Sequence, residues 1–137
     1  MRYRFFIFIA CVIVVSMAGG CAGNPANQVP LEEKVAKLGF TIGQPVKRIN
    51  DYQINGWNTV DLKHVVMSFG ASRNYLLTLR TSCDGVLSAQ MLFFSTTVGF
   101  LTDRDKLLVR DGGSQLSHCY IRTIHELEKI KTSDKSQ

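Results

Sequence analysis

The chain has 137 residues, 45% of them hydrophobic, and 16 Lys and Arg against 11 Asp and Glu, for a formal charge of +5. Removing an apolar leader over the first 20 residues takes away Arg2 and Arg4 and leaves 117 residues at +3, enough for one domain with its own core and too few for two. The remaining cations, among them those from Lys34 to Arg122, are scattered along the chain, which argues against a nucleic-acid footprint.

Met1 to Arg4 forms a short positive start, and Phe5 to Met17 is an uninterrupted apolar run that ends in the small residues Ala18, Gly19 and Gly20 and then Cys21. A run of this length suits the apolar region of a signal peptide and is short for a membrane-spanning helix. Cys11 lies inside it and would leave with it. Ala18-Gly19-Gly20-Cys21 resembles the lipobox of bacterial lipoproteins, departing from it at Ala18, where that pattern more often has leucine. The resemblance implies lipid attachment at Cys21; the competing reading is an ordinary cleavage site with a chance cysteine. Each buried methylene contributes about 0.8 kcal/mol, so several acyl chains would hold the protein on a membrane essentially permanently. Ala22, where an aspartate would redirect sorting, implies the periplasmic side of the outer membrane of a Gram-negative envelope. Residues 21–30 then form the lipidated cysteine and a flexible tether, because AGNPANQVP is polar and carries two prolines and a glycine; its reach is roughly 30 Å when extended.

Leu31, Val35 and Leu38 recur at helical spacing, with Glu32 and Glu33 in the first turn and Gly39 as terminator, which predicts a short helix. Gly43 and Pro45 interrupt the following segment, leaving only Pro45 to Asn50 as an edge strand. Asn55-Gly56 is a turn signal leading into Trp57. Leu62 to Phe69 predicts a strand with Lys63, Val65, Met67 and Phe69 on one face, and Gly70 to Arg73 joins it by a hairpin to the strand from Asn74 to Cys83. Within that strand Tyr75, Leu77, Leu79, Thr81 and Cys83 share a face, and only Leu76 breaks the alternation. A turn with one helical turn follows Cys83, then strands over Met91 to Val98 and Lys106 to Arg110, with Leu107 and Val109 inward. Asp111-Gly112-Gly113 turns the chain into Ser117 to Ile124, where Cys119, Ile121 and Thr123 share a face. The end of the chain from Glu126 reads as a short helix, with residues 131–137 a disordered tail. Together these elements predict a mainly β domain over residues 31–130, a small antiparallel rolled sheet or barrel-like structure with a short N-terminal helix.

Cys83 and Cys119 both fall on core faces, and in an oxidising compartment they are most simply a disulfide. Closing the 36 residues between them is worth roughly 4 kcal/mol in the chain-entropy model. The alternative is a reactive thiol activated by His118 or His64, although no spacing singles out such a pair. His64, His118 and His125 are too dispersed for a metal motif, so no metal or other cofactor is expected. Asp61, Asp103, Asp105 and Asp111 sit in or beside turns, where capping explains them. No catalytic motif is present. Trp57 reads either as a core plug or, if exposed beside Arg80, as part of a recognition surface with Arg73, Arg80 and Tyr120 for a protein, glycan or lipid headgroup.

Gly56-Trp57, Tyr75 to Leu79, Cys83, the LLV after Asp105 and Cys119 to Ile124 resemble, from Val46 to Leu127, a domain-of-unknown-function family of small Gram-negative envelope lipoproteins. The resemblance implies the compartment and the clasp and brings no activity. The sequence thus leads to a membrane-anchored periplasmic lipoprotein with no assignable catalytic activity, acting as a binding or envelope-maintenance module. Its partners are the membrane, through the lipid, and an envelope protein or glycan, and nucleic acid is not among them. The rival is a periplasmic hydrolase using a Cys–His or metal site on an envelope polymer.

Overall fold

A computed structural model describes residues 28–50, 52–96 and 98–131. The expected leader, Cys21, most of the tether and the tail beyond residue 131 lie outside the described residues.

The first element is the helix α1 (Leu31–Lys37), with Glu32 and Glu33 in its first turn and Lys34 and Lys37 in its last, charges placed to match the helix dipole. Gly39, at φ +86°, takes the left-handed conformation just past its end. Val35 is fully buried, whereas Leu38, expected on the same face, forms the C-cap and stays exposed. Among the described residues nine strands follow: β1 (Phe40–Val46), β2 (Arg48–Asn50), β3 (Ile54–Asp61), β4 (His64–Phe69), β5 (Arg73–Leu79), β6 (Met91–Phe94), β7 (Phe100–Thr102), β8 (Lys106–Arg110) and β9 (Leu116–Lys129). A 3₁₀ turn, Asp84–Ser88, links β5 to β6.

Seven of the strands form a curled antiparallel half-barrel in the order β3-β4-β5-β9-β8-β6, with β1 also paired to β9. The 14-residue β9 organises the sheet. Its first half pairs with β8, through Leu116 to Tyr120, and its second half lies between β5 and β1. β2 and β7 form a separate ribbon whose Ile49 and Leu101, partners in register, are buried in the main core. The expected mainly β class with a short N-terminal helix is the observed one.

Two hydrophobic clusters lie on opposite faces of the sheet. The inner cluster contains Val65, Met67, Phe69, Leu77, Leu79 and Ile121 among others, with Phe69 contacting Tyr75 and Phe94 at ring distances of 5.7 and 6.0 Å. The outer cluster is small: Val35 of α1 against Val66, Leu76 and Leu127. It explains the one residue that broke the alternation of β5. Leu76 points outward because a helix covers it there, so β5 is buried on both faces.

Several boundaries differ from expectation. Asn55-Gly56 lies inside β3, where the ladder shifts between Ile54 and Gly56 and the Asn55 amide donates to the Gly70 carbonyl; the dipeptide makes a bulge and not a reversal. Gly43 and Pro45 lie inside β1, which shifts register between Ile42 and Pro45 and tolerates the missing N–H because it is an edge strand. A Cβ at Gly43 would sit 3.1 Å from the Glu126 carbonyl oxygen, so glycine permits this close approach. β5 ends at Leu79, leaving Thr81 exposed, and the strand at Met91 ends at Phe94. Leu101 and Thr102, between the two expected strands Met91 to Val98 and Lys106 to Arg110, pair with Ile49 and Arg48. β9 runs on to Lys129 in place of the helix expected from Glu126, because β1 and β5 supply hydrogen-bonding edges on both sides.

Candidate functional site

Cys83 and Cys119 are joined by a disulfide, with Cα atoms 5.9 Å apart, and both are buried. The route differs from a simple shared strand face. The chain leaves the sheet after Leu79, and Cys83 opens the 3₁₀ turn, its N–H donating to the Leu62 carbonyl at 2.8 Å. That turn packs inside the half-barrel: Val86 is buried, its carbonyl accepts from Thr59 Oγ1 at 3.0 Å, and Gly85 fits against Val109 and Ser117. With both sulfurs bonded, neither is available as a thiolate nucleophile in this form.

The outward face of β6, β8 and the first half of β9 carries the most distinctive surface chemistry. Leu92 of β6, Leu107 and Val109 of β8, and Cys119 and Ile121 of β9 point inward, so the alternate positions point out. Pairing places Met91, Arg110 and Leu116 in one row, Phe93, Leu108 and His118 in the next, and Lys106 with Tyr120 in a third. Met91, Phe93 and Tyr120 are 47%, 42% and 46% exposed. Lys106 Nζ lies 5.0 Å from the centre of the Tyr120 ring, a cation–π contact. At the edge of this face an open pocket of about 300 Å³ is lined by Arg80 and Arg122. Arg80 is held by the backbone of β9: its N–H donates to the Tyr120 carbonyl at 2.9 Å and its Nε to the Ile121 carbonyl at 3.0 Å. None of the outward positions on these three stretches is acidic, and the nearest acids are engaged in turns. Asp105 accepts from the N–H and hydroxyl of Thr102 at 2.7 and 2.8 Å, and Asp111 accepts from the Gly113 N–H at 3.2 Å.

Of the four residues expected to form a recognition surface, Arg80 and Tyr120 are brought together and the other two are not. Trp57 is partly buried, packed against the inner core and paired in register with Met67. Arg73 sits at the other end of β5, roughly 20 Å from Arg80 by strand rise. There its Nη1 donates to the Asn50 carbonyl at 2.8 Å, beside an open pocket of about 270 Å³ that Glu126 and Glu128 also line. Met91, Phe93, Lys106 and Arg110 were not singled out from the sequence, although a signal existed: the alternation that sends Leu107 and Val109 inward sends Lys106, Leu108 and Arg110 outward.

Two other polar groups lie elsewhere. Asp61 Oδ1 is 2.7 Å from His64 Nδ1 and accepts the Lys63 N–H at 2.9 Å, while its Oδ2 accepts from Lys34 Nζ at 3.1 Å. Burial raises the Asp61 carboxyl, but the Lys63 N–H, the imidazole and the ammonium outweigh it and hold the pKa below the ordinary aspartate value. This cluster ties α1 to the β3–β4 turn. On the β2–β7 ribbon, Lys47, Arg48 and Arg104 line an open groove of about 420 Å³ with Thr102 and Asp103, and Arg48 lies 4.8 Å from the centre of the Phe100 ring. Among the described residues no group of three or more His, Cys, Asp or Glu is placed to hold a metal ion.

Residues 3–137 match the model of a family of unknown function (DUF6491), a longer stretch than the Val46 to Leu127 region that carries the resemblance in the sequence. No curated protein and no solved structure matches the chain.

Proposed function

We propose, on the premise that the chain belongs to the family of unknown function DUF6491, that it is a membrane-anchored envelope lipoprotein acting as a binding or envelope-maintenance module. The observation that carries the compartment is the buried Cys83–Cys119 bond, since structural disulfides persist in oxidising spaces such as the bacterial periplasm and are rare in the cytosol. The anchor is read from Cys21, which follows an apolar run and three small residues. In this reading the leader is removed, Cys21 carries the lipid, and the domain stands on the periplasmic side of the outer membrane. Its mechanism is presentation: lipid and tether keep a rigid β surface at the membrane, raising the effective concentration for partners there. Arg80 and Tyr120 belong to the surface presented; Trp57 serves the core.

The test is the intact mass of the native protein from the membrane fraction, alkylated without reductant and measured again after reduction. Expected are a lipid increment on a chain beginning at Cys21, and two cysteines that alkylate only after reduction. A Cys21→Ser protein that still runs at the lipidated mass, or a native protein without the increment, overturns the anchor. Free alkylation of Cys83 or Cys119 overturns the oxidising compartment.

A further inference from the structure

We infer that the outward face of β6, β8 and the first half of β9 is a docking surface for an anionic phospholipid bilayer, on which the domain lies when it is held at the membrane. The inference rests on the anchored reading above and names what its exposed face contacts.

The face combines two properties that occur together at a membrane interface. Its side chains include the exposed, amphipathic or polarizable Tyr120, Phe93 and Met91, which suit the boundary between headgroup and acyl chain. Around them stand Lys106, Arg110, Arg122 and Arg80, with no acidic side chain at an outward position of these strands. An anionic headgroup layer complements that charge. A second copy of the chain does not, because a two-fold pairing through this patch would set the same cations against one another.

The topology adds a second argument. β9 carries both halves of the outer surface: α1 covers the half around Leu127 and Leu76, and the half around Leu116, His118 and Tyr120 is exposed. The chain therefore enters the domain on the same side of the sheet as the exposed half. A lipid at Cys21 lies seven residues before Gln28, at most about 25 Å of extended chain. An anchor on so short a lead keeps this side of the sheet near the bilayer.

The experiment uses the native full chain, mixed with or reconstituted into phosphatidylcholine vesicles with or without phosphatidylglycerol, and follows methionine oxidation by hydrogen peroxide with mass spectrometry. Met91 is exposed and reports the face; Met67 is fully buried and reports unfolding. Met91 oxidation should slow several-fold on phosphatidylglycerol vesicles relative to pure phosphatidylcholine, with Met67 unchanged. Raising the salt should erase the difference. In Lys106→Glu/Arg110→Glu the ratio of docked to undocked protein should fall by roughly twentyfold or more, at about fivefold per cation near an anionic surface. Equal Met91 rates on the two vesicle types overturn the inference, whether or not the protein floats with both. Protection of Met91 without vesicles, rising with protein concentration, also overturns it, in favour of a second copy. If the protein fails to float with neutral vesicles yet is protected on anionic ones, the lipid anchor falls and the docking face stands.

Discussion

Ile121 and Ile124 both point into the inner core from the same strand although they are three positions apart, because the β5–β9 ladder passes from Leu79–Ile121 to Thr78–Thr123 and leaves Arg122 as an extra residue. In a regular strand residues three apart face opposite ways. The bulge therefore sets which way the whole first half of β9 faces, including Cys119 and the exposed Tyr120.

Deleting Arg122 should remove the bulge and keep the facing of β9, since Ile121 and Ile124 then stand two positions apart as in a regular strand. Cys119 would still point towards Cys83. Non-reducing alkylation and mass spectrometry should find the disulfide intact in the deletion variant. Free thiols at both cysteines would show that the ladder needs the extra residue.

Replacing both cysteines, Cys83→Ala with Cys119→Ala, removes a cross-link that closes 36 residues. The chain-entropy model expects a loss of about 4 kcal/mol, which urea denaturation reads as a lower midpoint. The 3₁₀ turn should loosen first, because Cys83 opens it. A loss below about 1 kcal/mol would mean that packing of Val86 and Gly85 already holds the segment without the bond.

Leu76→Ala should cost about 3 kcal/mol and act on the helix before the barrel. Leu76 belongs to the small outer cluster with Val35, Val66 and Leu127 and not to the larger inner one. Hydrogen exchange should show α1 amides losing protection while β4 amides keep theirs relative to global unfolding. Uniform loss across both elements would mean that helix and sheet unfold as one unit.

Asp61→Asn should remove an acid-sensitive contribution to stability. The folded-state pKa of Asp61 is lowered, so its stabilisation is present above the unfolded value of about 3.9 and disappears as pH falls through the folded value. Wild type should therefore exceed the variant by about 1 kcal/mol at pH 7, a modest figure because the cluster is partly exposed, and the two should converge in strong acid. Urea midpoints at several pH values read this directly. A gap that stays constant into strong acid would assign the difference to lost packing instead of lost charge.

The alternation of apolar residues was enough to determine that the chain is mainly β, that Val65, Met67 and Phe69 share one face and Leu107 and Val109 another, and that Cys119 and Ile121 face the core. These follow from the two-residue period of a strand with one buried side. The helix at Leu31–Lys37 was equally legible, because its spacing, first-turn acids and terminal glycine agree. What only the tertiary structure decided was the reading of residues whose local pattern is ambiguous or broken. Leu76 looked like an error in β5 until α1 covered the far side of the sheet. Asn55-Gly56 and Gly43 to Pro45 carry turn signals, yet neighbouring strands hold both extended and convert them to bulges. Glu126 to Lys129 joins a sheet because edges on both sides take up its backbone groups. The grouping of Tyr120 with Lys106 and Arg80, and its separation from Trp57 and Arg73, required the register of β5, β8 and β9. Local sequence specifies which side of a strand is apolar; partners far along the chain decide which strand lies beside it and whether its other side is covered.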